Sequence, residues 1–137
     1  MAVVEDLLRS EADGAISFGN HKLAQKAKVE DFKHAGDLLK VKTYKDITKL
    51  EKNGMFLYES VPGTSVNGFT EQAQGVEFSV EGDEDAQITI GLADDQEYEV
   101  FVGGKSMGTM KTGLGGKLSL SVELQAAGEV SVKVVQM

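Results

Sequence analysis

The stretch of this chain that comes nearest to chemistry is Glu99–Ser106, "EVFVGGKS", where Gly-Gly-Lys-Ser closes a run of strand formers. A phosphate-gripping loop reads Gly, four residues, then Gly-Lys-Ser/Thr, and it leads into a helix whose free N–H groups receive the anion. Gly104, Lys105 and Ser106 supply the last three positions, but Glu99 stands where the first glycine belongs. A second cluster, Gly113–Lys117, fails in a similar way: the final glycine of a dinucleotide fingerprint would fall on Leu118. Both clusters run into strand-like sequence, so the residues predict turns, with Lys105 a solvated charge.

Other chemistry is equally thin. "EGDED" (Glu81–Asp85) and "ADDQE" (Ala93–Glu97) gather carboxylates of the kind that bind calcium. They flank a single predicted strand, Ala86–Leu92, which holds their centres about 20 Å apart, and neither has the ligand spacing of an EF-hand. Two histidines, His21 and His34, could titrate near neutrality, and both lie in turn-like, exposed-looking sequence without a nucleophile motif nearby. With no cysteine there is no thiol nucleophile, thiolate metal site or disulfide. No cofactor is expected, and the chain reads as non-catalytic ahead of an enzyme of unrecognised type.

Binding is the remaining option. Phe101 falls on the outward side of an alternating strand with Met110 as its prospective neighbour, and Tyr58 adds an aromatic ring. These three are the candidate interface residues. A protein partner, or a second copy of the chain, is the first expectation, and a glycan is the alternative, with Tyr58 or Phe101 as the platform. Nucleic acid is disfavoured. Residues 1–60 balance 10 basic against 10 acidic side chains, while residues 61–137 hold 4 against 12 and carry the whole net charge of −8. Arg9 is the only arginine, which also argues against phosphate and carboxylate recognition. No apolar run is long enough to span a membrane, and the N-terminus lacks the basic region of a secretory signal. A cytoplasmic location is the simplest expectation.

The elements that must position these residues are strands. Val76–Val80, Ala86–Leu92, Tyr98–Val102, Leu118–Leu124 and Val130–Val134 all alternate apolar with polar residues, and Lys105–Thr112 does so more weakly. Period two means one face buried and one wet. The short Gly- and Asp-rich breaks favour antiparallel neighbours. In the first half, Asp13-Gly14 and Asn53-Gly54 are hairpin signals, and Asp37–Thr43 alternates. Two segments there are ambiguous. Val3, Val4, Leu7 and Leu8 have helical spacing, and Thr43 with Asp46 resembles a capping box ahead of Ile47 and Leu50. Pro62, with Gly63, Gly68 and Gly75, marks the junction between an N-terminal portion (1–66) and a C-terminal one (75–137), which together could form one unit.

At Tyr98–Leu124 the cadence is strand, Gly103-Gly104, short strand, Thr112, a Gly-rich turn, then an alternating strand. This resembles the immunoglobulin-like accessory modules of bacterial carbohydrate-active enzymes, a likeness covering about residues 75–137. The pieces "ADGAISFGN", "KLEKNG" and "YESVPGT" also look like those of short bacterial β-proteins sometimes labelled endosialidase. That likeness implies a stand-alone β protein and assigns it no site. The expected fold is all-β, an immunoglobulin-like β-sandwich with a smaller N-terminal β-rich portion.

Overall fold

The computed structural model describes residues 3–137. It has thirteen strands and, among the described residues, no helix. Residues 8–72 supply β1 (Leu8–Ser10), β2 (Ile16–Phe18), β3 (Ala27–His34), β4 (Asp37–Tyr44), β5 (Ile47–Lys52), β6 (Met55–Val61) and β7 (Ser65–Gln72). The remainder forms β8 (Gly75–Glu81), β9 (Ala86–Gly91), β10 (Glu97–Val102), β11 (Lys105–Lys111), β12 (Lys117–Val122) and β13 (Val130–Gln136).

The strands make two antiparallel sheets. One runs β1-β2-β7-β8-β13-β10-β11, and the other runs β12-β9-β6-β5-β4-β3. Both halves of the chain contribute to both sheets. One hydrophobic core extends from Leu8 to Val134. Pro62 and Gly63 lie where the chain leaves β6 in one sheet for β7 in the other, through a cis Val61–Pro62 bond.

Alternation explains how the sheets close on one another. In β12, Leu118, Leu120 and Val122 are buried while Ser119 and Ser121 are exposed, so one face of the strand is the core. At the centre Tyr58 of one sheet meets Phe18, Phe69 and Phe78 of the other edge to face, with ring centres 5.2 to 6.4 Å apart. Such edge contacts set the positive rim of one ring against the negative face of the next. This cluster joins the two layers.

Both ambiguous segments are non-helical. Val4 is buried and its N–H bonds to Gly19 O at 3.0 Å, which holds the start of the chain as an extended lead into β1. Lys45 and Asp46 form a two-residue turn between β4 and β5, with Tyr44 opposite Ile47. Thr43 caps nothing; its Oγ1 lies 2.8 Å from Thr48 Oγ1 in the core. The helical spacing was misleading because buried threonines occupy inward positions where an apolar pattern would have shown period two.

Candidate functional site

The Gly-Gly-Lys-Ser run is the hairpin turn between β10 and β11. Gly103 and Gly104 have φ of 61° and 82°, and Val102 pairs with Lys105. Two consecutive positive φ values make the mirror-image turn whose twist matches paired strands, and glycine adopts it without steric cost. Ser106 donates its hydroxyl hydrogen to Glu99 Oε2 at 2.8 Å. The glutamate in the place of the missing glycine thus partners the serine.

The two acidic clusters lie at the two ends of β9, as its length requires. Asp85 Oδ1 accepts from the N–H groups of Leu124 and Gln125 at 2.9 and 3.0 Å, fixing the chain after β12. Asp83 pairs with Lys22 at 2.6 Å, and Asp95 with Lys111 at 3.3 Å. Among the described residues, no three His, Asp or Glu side chains converge as a metal site would need.

His21 is buried, 3% exposed, contrary to its turn-like surroundings. Ser65 Oγ accepts from the His21 backbone N–H at 3.3 Å and lies 2.7 Å from Nδ1. On the other side of the ring Nε2 lies 3.6 Å from Asp83 Oδ1, beyond hydrogen-bonding distance. Burial lowers the ring's pKa below 6.5, and the Asp83 charge opposes that shift. Ser, His and Asp are thus in sequence, but Ser65 is fully buried. A nucleophile must reach its substrate, so the group serves the fold by holding the β2–β3 connection against β7.

The three interface candidates do not form one patch. Tyr58 is fully buried, its hydroxyl 2.8 Å from Thr64 Oγ1, and burial raises its pKa. Its position removes it from any surface. Alternation had placed no side for it, because β6 slips register between Leu50 and Glu51 of its neighbour. Phe101 is half-buried on the outer face, opposite Ser106 and Lys133. Met110 pairs with Tyr98, so it lies on the inner face against the core. Phe101 and Met110 are on opposite sides of one sheet.

The sheet edges carry the more telling feature. An edge strand exposes unpaired N–H and C=O groups, and proteins blunt such edges with bulges, lysines or short length. The edge strand β1 has three residues. Another, β3, has a bulge between Val29 and Phe32 and outward lysines. On the opposite side β11 has lysine at both ends and a bulge opposite Val100. The fourth edge, β12, has no bulge and is six residues long, all of them paired with β9 in unbroken register. Its one charge, Lys117, folds back over the Phe56 ring at 4.6 Å. Beside it, β11 projects past the core. Every β11 residue except Met110 is exposed, including Met107 at 55%. Leu114, 96% exposed, lies in the turn that joins the two edges.

Among the described residues no helix is long and apolar enough to cross a membrane. Comparison with known protein families, with curated proteins and with solved structures finds no match to the chain.

Proposed function

We propose that the chain is a non-catalytic protein-binding module that accepts an extended segment of a partner protein as an added strand on β12. The observation that carries this reading is the contrast among the four edges: three are bulged or only three residues long, and β12 is neither. Strand addition draws affinity from main-chain hydrogen bonds and selectivity from alternate side chains. An added strand would sit beneath the overhanging inner face of β11, and its inward residues would meet Met107 and Met110. The segment expected there alternates apolar with polar residues.

The same overhang favours one foreign strand over self-pairing. If two β12 edges paired about a two-fold axis normal to the sheet, both copies' β11 strands would enter the same layer above the join. A single strand meets no such obstacle. The non-catalytic part of the reading is supported by the histidines, each held by structural hydrogen bonds: His21 to Ser65, and His34 to Ser10 Oγ and Gly14 O. The cadence shared with immunoglobulin-like accessory modules fits binding as well.

A displayed library of seven-residue peptides tests the proposal. It should yield alternating apolar sequences whose binding is lost in Met107→Glu. Selection of no peptide, or of peptides indifferent to that change, would refute it.

A further inference from the structure

A cleft of about 320 Å³ opens between the sheets on the side away from β12, where β1 and β3 form the edges. This volume lies at the lower end of the range of small-molecule sites. Its floor is apolar, made by Ile16, Leu39, Leu57 and Phe69, which are 2 to 7% exposed. Two hairpin tips form its rim: Asp13-Gly14 between β1 and β2, and Ala35 in the turn between β3 and β4.

The rim is held in place. His34 Nε2 is 3.0 Å from the Gly14 carbonyl, to which it can only donate, so Nδ1 accepts from the Ser10 hydroxyl at 2.8 Å. One imidazole thus ties the two hairpins together. Across the opening Lys52 Nζ contacts both Glu71 carboxylate oxygens, at 2.7 and 2.6 Å, bridging the sheets.

That pairing neutralises the rim's one lysine and leaves two acids without a cation. Asp13 Oδ1 accepts from Ala15 N–H at 3.0 Å, and Asp37 Oδ1 accepts from Asn53 Nδ2 at 2.8 Å. Neither aspartate has an ion pair among the described residues. Each therefore keeps its second oxygen for another donor. An apolar floor beneath a rim of uncompensated negative charge complements a ligand that is apolar at one end and cationic at the other.

We infer that this cleft binds a small organic ammonium ion, its apolar body on the floor and its N–H groups donating to Asp13 and Asp37. The inference is independent of strand addition, which uses the other side of the sandwich.

Amide NMR titration of the full chain tests it with three matched probes: 2-phenylethylammonium, the neutral 2-phenylethanol and the anionic 3-phenylpropionate. The ammonium compound should shift the amides of Gly14, Ala35, Gly36 and Thr70, and the anion should leave them in place. The isosteric pair Asp13→Asn with Asp37→Asn keeps both Oδ1 acceptors and should weaken ammonium binding at least roughly tenfold, the scale of one charge-assisted hydrogen bond. Equal shifts from all three probes, shifts elsewhere, none at millimolar concentration, or unchanged affinity in the double variant would overturn the inference.

Discussion

Tyr58 shows how one residue changes meaning once its neighbours are placed. It was a surface candidate by type, and it is the ring that joins the sheets, with a hydroxyl inside the Thr64–Ser60 hydrogen-bond group. Tyr58→Phe keeps the ring contacts and deletes one buried hydrogen bond, so it should lower unfolding free energy by about 1 kcal/mol, measured by urea denaturation. Because the ring reaches no surface, the same variant should bind selected peptides as the wild type does. His21 makes a second residue-scale prediction. Its folded pKa lies below the unfolded value of 6.5, so below that value the unfolded chain binds more protons than the folded one. Its contribution is fully present above pH 6.5 and is lost as pH falls toward the lowered value. Asp83 and Glu11, held below 3.8 and 4.5 by hydrogen bonds from Lys22 and Ser17, lose theirs only at lower pH. Thermal melts should therefore show stability falling as pH drops below 6.5, and this slope should flatten in His21→Asn. A slope unchanged in the variant would assign the effect to other groups.

Among the elements, five strands of the second half were legible because each alternates cleanly, as in Leu118, Leu120 and Val122 against Ser119 and Ser121, while Lys105–Thr112 showed the pattern only weakly. In the first half the turn signals Asp13-Gly14 and Asn53-Gly54 were equally clear. Strands β3, β5 and β7 were harder to see. Their inward positions include Thr48 and Ser65, buried but polar, and β3 and β7 each carry a bulge that interrupts the count. The turn at Gly103-Gly104 gives a prediction at this scale. Gly104→Val places a β-branched residue at φ of 82° and should destabilise by about 1–2 kcal/mol, whereas Gly103→Asn should be nearly neutral in the same denaturation series. The unbulged edge of β12 was half visible. Its freedom from proline and internal charge could be read from "LSLSV", but its place at an edge depends on strand order, which alternation does not encode.

At the scale of the molecule, what decides the account is the mismatch of seven strands facing six. It leaves β11 projecting and β12 bare on one side, while His34 and the Lys52–Glu71 pair close the other. The overhang predicts that the isolated chain is a monomer by light scattering on a sizing column. Met107→Glu, at an exposed position, should change stability by no more than about 0.5 kcal/mol while abolishing peptide binding. The most direct test is hydrogen–deuterium exchange of the chain with and without a selected peptide. Strand addition predicts slowed exchange confined to Lys117–Val122, with Met107 and Met110 methyl signals shifted in parallel; unchanged exchange in β12, or protection centred on another edge, would contradict it.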